Sequence, residues 1–97
     1  MPTYIAMLKW TPRGLQNIKQ SPSRLEAARK GFEAVGAKMK EFYMVTGQYD
    51  MIAVIDAADE AALAKAVLGA TSQGNITSET CRAFTEEEYR QIIDGLA

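Results

Sequence analysis

The sequence predicts an α+β domain in which four strands and two helices follow one another in the order βαββαβ, with one further helix at the carboxyl end. Three observations predict it: apolar runs of strand length, two stretches with apolar residues at helical spacing, and glycine or proline between them. The length of 97 residues suits one domain. A hydrophobic fraction of 47% with 24% charged residues is ordinary for a globular protein, so disorder is not expected.

The chain begins with a strand and a helix. Thr3–Trp10 is rich in β-forming residues and ends before Pro12, which has no N–H for a central ladder. The next residues predict one short helical turn, followed by Ser21-Pro22 as N-cap and first helical residue of a longer helix. Gly36 suits the end of that helix. Its apolar stripe recurs at spacings of three, four and three, at Leu25, Ala28, Phe32 and Val35.

A β-hairpin follows at the centre of the chain. Residues 37–46 predict the second strand and residues 49–57 the third, with Gly47-Gln48 between them as a two-residue type II′ turn. Residues 51–55 are apolar without interruption.

The last part of the chain predicts a helix, a strand and a helix. Asp59 caps a helix that runs to about Gln73, and residues 76–84 alternate as the fourth strand. Thr85 and Glu88 form a capping-box pattern at the start of the terminal helix. The apolar face of that helix consists of Tyr89, Ile92, Ile93 and Leu96.

This order is that of the ferredoxin-like plait, a four-stranded antiparallel sheet with both helices on one face. Two helices leave the other face open, yet the first three strands are apolar on both sides. An antiparallel sheet with one solvated face normally alternates. We therefore expect a second subunit to cover the open face, with two sheets packed face to face as in a dimeric α+β barrel. The alternative is that the terminal helix folds back over it.

Several classes of site are disfavoured by composition. The chain has no histidine and one cysteine, which removes zinc clusters and any Ser-His or Cys-His couple. We expect no metal, no cofactor, no membrane partner and a cytoplasmic location. The charge is +5 over residues 1–48 and −6 over residues 49–97, summing to −1. Because the cations are spread over strand, helix and loop, no nucleic-acid partner is expected.

Residues at the strand ends are candidates for binding a small molecule. Lys9-Trp10 could hold an anionic or aromatic ligand, the alternative being a rim tryptophan packed under the 11–20 loop. Tyr43 and Tyr49 flank the turn and offer phenolic hydroxyls, or serve as ordinary cross-strand aromatics.

Asp50 begins an apolar strand and needs a partner, for which Arg82 is the obvious candidate. The pair is either a structural ion pair or a site in which Arg82 receives a ligand carboxylate. Thr80, on the same strand as Arg82, completes the predicted lining. Cys81 has no histidine in the chain and no preceding helix N-terminus to favour a reactive thiolate, so an inert buried thiol is expected. The Glu86-Glu87-Glu88 run matches acidic N-terminal helix chemistry better than a metal site.

The chain resembles the GYD-domain family. The resemblance rests on the opening MPTYIAMLKWT, Gly14, Ser21-Pro22, the turn Gly47-Gln48-Tyr49-Asp50, Gly74-Asn75 and the closing Arg82-Ala83-Phe84-Thr85. It implies a single-domain, mostly bacterial or archaeal protein of dimeric α+β-barrel type, and it implies little about activity. The hairpin and last strand also resemble the ligand-binding module of feast/famine-type transcriptional regulators.

Three functions remain open from the sequence. The first is a small-molecule-binding or regulatory homo-oligomer without catalysis. The second is a cofactor-independent oxygenase or isomerase, which would need Asp50, Tyr49 or Lys9 as acid or base. The third is a structural or assembly protein.

Overall fold

The computed structural model describes all 97 residues and contains one four-stranded antiparallel sheet. The elements in chain order are β1 (Thr3–Trp10), α1 (Pro12–Gln16), a 3₁₀ turn (Ile18–Gln20), α2 (Ser21–Ala34), β2 (Ala37–Met44), β3 (Met51–Ala57), α3 (Glu60–Thr71), β4 (Ile76–Ala83) and α4 (Glu86–Asp94). The strand order β2-β3-β1-β4, with every neighbouring pair antiparallel, confirms the predicted βαββαβ plait.

The core lies between one face of the sheet and the helices α2 and α3. Tyr4 and Ala6 of β1 and Ile55 of β3 are at most 5% exposed on this face. Phe32 is the large buried residue of α2, and the buried residues of α3 are the alanines Ala62 and Ala66, with Leu63 partly buried beside them. The predicted stripe of α2 is thus confirmed at its centre, with Ala28 and Val35 packed against the same cluster.

Local capping signals predict some helix ends correctly and one wrongly. Asp59 caps α3 by accepting from the Ala62 amide at 2.8 Å, and Thr85 with Glu88 forms the expected capping box of α4. Ser21 is not an N-cap, because the 3₁₀ turn runs directly into α2. Its hydroxyl instead accepts the indole N–H of Trp10 at 3.3 Å.

Helix α1 is fastened to the loop before β4 through backbone atoms. The Thr11 amide donates to the carbonyl of Asn75 at 3.0 Å, and its hydroxyl donates to that of Gly74 at 2.7 Å. Gly14 lies so close that a β-carbon there would be 2.2 Å from the Asn75 oxygen. Only glycine therefore fits at position 14 without displacing backbone.

The central hairpin is wider than predicted. β2 ends at Met44 and β3 begins at Met51, so the connection spans residues 45–50, and the two-residue turn is wrong. The reason is that the Asp50 amide donates to the carbonyl of Leu8 at 2.9 Å, which ties the end of the loop to β1. Gly47 does adopt the expected positive φ, at 110°.

The other face of the sheet is covered by no element of the chain. α4 packs extensively against none of the other helices or strands, so the idea that it folds back over the sheet is wrong. The molecule measures 52 × 31 × 17 Å, and its smallest dimension matches one sheet and one helix layer. We call this uncovered surface the open face.

Candidate functional site

The residues expected to form one pocket lie on both faces of the sheet. Trp10 lies on the helix-covered face of β1 with Tyr4 and Ala6. Thr80 and Arg82 of β4 lie on the same face, because they are paired with Ala6 and Tyr4. Lys9 and Tyr43 lie on the open face. The structure therefore does not bring the seven residues together, and a ligand-binding role for each stays a prediction.

The expected pairing of Asp50 with Arg82 is wrong. Asp50 precedes Met51, which lies opposite Leu8, whereas Arg82 lies opposite Tyr4. Those two positions of β1 are four residues apart, which is about 13 Å along a strand. The Asp50 carboxylate instead accepts the backbone N–H of Trp10 at 3.0 Å.

Arg82 connects β1, β4 and the start of α4. Its guanidinium donates to the carbonyl of Thr3 at 3.2 Å, to that of Ala83, and to the Glu88 carboxylate at 3.4 Å. It also lies 4.5 Å from the centre of the Phe84 ring. The backbone and side-chain hydrogen bonds of Thr85, followed by Arg82, hold the pKa of Glu88 below its usual value despite some desolvation.

Tyr49 belongs to a small polar cluster on the open face. Its hydroxyl donates to the Glu79 carboxylate, and the Lys9 ammonium lies 5.5 Å from the centre of its ring. The hydrogen bond to Glu79, then desolvation and the charge of Glu79, raise the pKa of Tyr49 above 10.0. The phenol is thus a weaker acid than free tyrosine.

The sequence reasoning missed Glu79. It lies opposite Met7 of β1, and both line a depression of about 200 Å³ together with Lys9, Gln48, Tyr49, Thr77 and Ser78. The alternation along the fourth strand does indicate that Glu79 lies on the face opposite to Thr80. Finding its partner would also have required the order of the strands.

The centre of the open face is an apolar strip. Ile5 and Met7 of β1 lie beside Ile52 and Val54 of β3 in register, all partly exposed. The charged residues of this face lie around the strip and are three cations and three acids: Lys9, Lys38, Lys40, Glu41, Asp56 and Glu79. An apolar centre with a polar rim is the usual composition of a protein interface.

Cys81 also lies on the open face, opposite Ile5. The expectation of a buried thiol is wrong for the isolated chain, because Cys81 is exposed. The alternation of β4 decides this, since Thr80 and Arg82 take the positions that face the helices.

α4 presents a second apolar surface. Tyr89, Ile92 and Ile93 are each 48–57% exposed, and Leu96, just beyond the helix, is 68% exposed. The helix has nine residues, and isolated helices shorter than about 12–15 residues are marginal in water. α4 is therefore an element that gains stability from a partner surface.

A larger cavity, of about 250 Å³, lies between the sheet and the helix pair α2 and α3. Of the seven predicted site residues, it is lined by Trp10 alone. No group of three or more cysteine, aspartate or glutamate side chains is placed to hold a metal ion. None of the helices is long and apolar enough to cross a membrane.

Comparisons with known proteins agree with this architecture. A protein of Thermus thermophilus described as "glutamine synthetase and cystathionine beta-lyase binding protein" is 31% identical over 85 residues, covering 87% of this chain and 90% of that protein. The crystal structure of TTHA0845, also from Thermus thermophilus, superposes with a TM-score of 0.57 at 24% identity, covering 88% of this chain and 95% of that one.

A regulatory protein of lower sequence identity shares the fold alone. The leucine response regulatory protein of Mycobacterium tuberculosis superposes with a TM-score of 0.64 at 14% identity, over 87% of this chain and 51% of its own. The sequence pattern of the GYD domain matches residues 4–93, nearly the whole chain and every strand of the sheet. The chain therefore belongs to the GYD-domain family.

Proposed function

We propose that this protein is a regulatory binding module that self-associates through the open face of its sheet and acts by binding other proteins. The observation that carries the proposal is the apolar strip of Ile5, Met7, Ile52 and Val54, which no element of the chain covers. A sheet face that remained in water would alternate with polar residues at these central positions.

The charges around the strip favour a second copy of the chain as its cover. Three cations and three acids leave the face without net charge. In a two-fold arrangement each residue meets the surface of an identical chain, so a balanced rim can pair with itself. The exposed thiol of Cys81 becomes buried in the same arrangement.

Binding of a protein partner is supported by the relative from Thermus thermophilus, whose description names two enzymes that it binds. α4 offers a surface for such a partner, because its apolar residues project away from the sheet. The test partner is the glutamine synthetase from the organism that encodes this chain, and Ile92→Lys should weaken its binding. Size-exclusion chromatography of the mixed proteins measures the binding. Gln91→Lys, one position along the same helix, is the matched control and should bind as the unmodified chain does.

The geometry gives the enzymatic alternative little support. The Asp50 carboxylate already accepts the Trp10 amide at 3.0 Å, and the Tyr49 phenol donates to Glu79. A residue acting as a base needs a lone pair directed at a substrate. Both groups are instead hydrogen-bonded within the chain, and the third candidate, the Lys9 ammonium, lies 5.5 Å from the centre of the Tyr49 ring.

Self-association is tested with a pair of lysine substitutions. Val54→Lys places a charge within the apolar strip and should convert a dimer to a monomer, because burying an unpaired charge is costly. Leu68→Lys is the matched control, since Leu68 is 65% exposed on the outer surface of α3. Light scattering during size-exclusion chromatography should show a halved mass for the first variant only. Equal masses for the two variants would contradict the open face as the interface.

A further inference from the structure

The cavity between the sheet and the helices reaches into the core. Leu8, Met51 and Ala53 are among its lining residues on the strands, and of these Met51 is 4% and Ala53 1% exposed. Strands β2 and β4 also contribute lining residues, and α2 and α3 form the opposite walls. The cavity is thus continuous with the apolar interior and also opens at the surface between two helices.

The two helices leave this space open because small residues face it. Gly31 of α2 and Gly69 of α3 both line the cavity, and a methyl group built at either position would meet no atom within 4 Å. Close-packed interiors leave few voids larger than a water molecule. An opening of this size therefore suits a bound molecule better than a packing defect.

One end of the cavity is polar. Trp10 donates its indole N–H to Ser21 there, and Arg24 donates to the carbonyl of Gly14 at 3.3 Å. Gly14 lies against Asn75, which also lines the cavity. The indole, the hydroxyl and the guanidinium are thereby gathered where α2 begins.

The charges that line the cavity are of one sign. Arg24 and Lys65 are the ionisable residues among its lining, and neither forms a salt bridge with a carboxylate. Arg24 is held by the backbone carbonyls of Gly14 and Asn17, which leaves its positive charge without a counter-ion. We infer that the cavity binds a small organic acid, with its apolar body between α2 and α3 and its carboxylate at Arg24.

The volume limits the size of that acid. A cavity of about 150 Å³ accepts benzene, which has six non-hydrogen atoms. By proportion, about 250 Å³ takes roughly ten non-hydrogen atoms. Octanoate and 3-phenylpropanoate are of this size, the first with an aliphatic body and the second with an aromatic one.

Trp10 makes the site directly observable. It is the one tryptophan of the chain and lines the cavity, so a ligand bound there should change its fluorescence. Titration of the full chain with octanoate and with 3-phenylpropanoate should give a saturable change for at least one of them. 1-Octanol, which has no charge, and octylammonium, which has the opposite charge, should each bind at least tenfold more weakly than octanoate.

Two substitutions test the location. Gly31→Leu should fill the mouth of the cavity and weaken binding more than tenfold, while the fold is retained because leucine is a better helix former than glycine. Lys30→Leu places the same side chain one position earlier in α2, outside the cavity lining, and should leave binding unchanged. Arg24→Gln should remove the preference for octanoate over 1-octanol.

The outcomes separate this inference from the proposed function, because neither requires the other. Unchanged affinity in Gly31→Leu, or equal affinity for octanoate and octylammonium, would overturn it. So would the absence of any saturable change in Trp10 fluorescence with both acids. A chain that binds octanoate but sediments as a monomer would retain the cavity site and lose self-association.

Discussion

Gly14→Ala should destabilise the protein more than an exposed helical substitution would. The new β-carbon would lie 2.2 Å from the Asn75 oxygen and 3.1 Å from its carbonyl carbon. Both are backbone atoms, so no side-chain rotation can relieve the overlap. α1 must move away from the loop before β4, which lengthens the two hydrogen bonds from Thr11 to Asn75 and Gly74.

The magnitude follows from these contacts. Losing two hydrogen bonds costs about 1–3 kcal/mol, and overpacking of this kind costs about 1–3 kcal/mol. Replacing glycine by alanine within a helix returns about 0.5–1 kcal/mol. We therefore expect the free energy of unfolding to fall by about 3 kcal/mol, within a range of about 1–5 kcal/mol. A fall of about 3 kcal/mol lowers Tm by roughly 12–24 °C at about 4–8 °C per kcal/mol.

Gly31→Ala is the matched control, because a β-carbon there meets no atom within 4 Å. It should leave the protein unchanged or stabilise it by up to about 1 kcal/mol. Urea denaturation of the two variants and the unmodified chain, followed by circular dichroism, measures all three. If Gly14→Ala fell within about 0.5 kcal/mol of the unmodified chain, the close approach to Asn75 would not exist as described.

Two titrations test the polar contacts. The Tyr49 phenol should ionise above pH 10.0, and Glu79→Gln should return its pKa toward that value by ultraviolet titration, whereas Glu41→Gln should not. The hydrogen bond to Glu79 stabilises the neutral phenol, so its contribution to stability is present below the pKa of Tyr49 in the unfolded chain. That contribution is lost as pH rises through the higher pKa of Tyr49 in the folded protein. The pKa of Glu88 is lowered from 4.5 in the folded protein. The stability that the ionised carboxylate gives α4 is therefore present above pH 4.5 and is lost as pH falls through the lowered pKa. Carboxyl NMR should show the lowered pKa of Glu88 in the unmodified chain and a smaller lowering when Thr85 is changed to Ala, because that change removes the hydroxyl and keeps the backbone N–H that donates to Glu88; an unshifted Glu88 in the unmodified chain would contradict the capping box.

The elements that the sequence predicted well are those fixed by neighbouring residues. The start of α3 at Asp59 and the capping box of α4 each depend on groups within three residues of one another. β1 has its predicted bounds because the N-cap Thr11 and then Pro12 follow it and begin a helix. Such contacts can be predicted from neighbouring residues alone, because they do not depend on the tertiary arrangement of the chain.

The predictions that failed depended on contacts between distant parts of the chain. The predicted two-residue turn at Gly47-Gln48 does not form, because Asp50 hydrogen-bonds to β1, which is distant in sequence. The bulge in β2 between Met39 and Glu41 likewise appears only in the pairing with β3. Sequence periodicity gives the face of a residue, whereas the partner across the sheet depends on strand order and register.

The candidate site was predictable in one respect. Apolar residues on both sides of β1 and β3 indicated a face that needs a cover, and the structure leaves that face open. The cavity between α2 and α3 was not predictable, because Ala28, Gly31 and Gly69 are equally compatible with helices in close contact. Only the separation of the helices shows that the space between them is empty.

Self-association through the open face is tested most directly by equilibrium sedimentation of the unmodified chain at micromolar concentration. One chain has a mass of 10.7 kDa. The apolar strip on β1 and β3 predicts a species of twice that mass, or a larger multiple, that dissociates in Val54→Lys. A single species of 10.7 kDa across the micromolar range would contradict it.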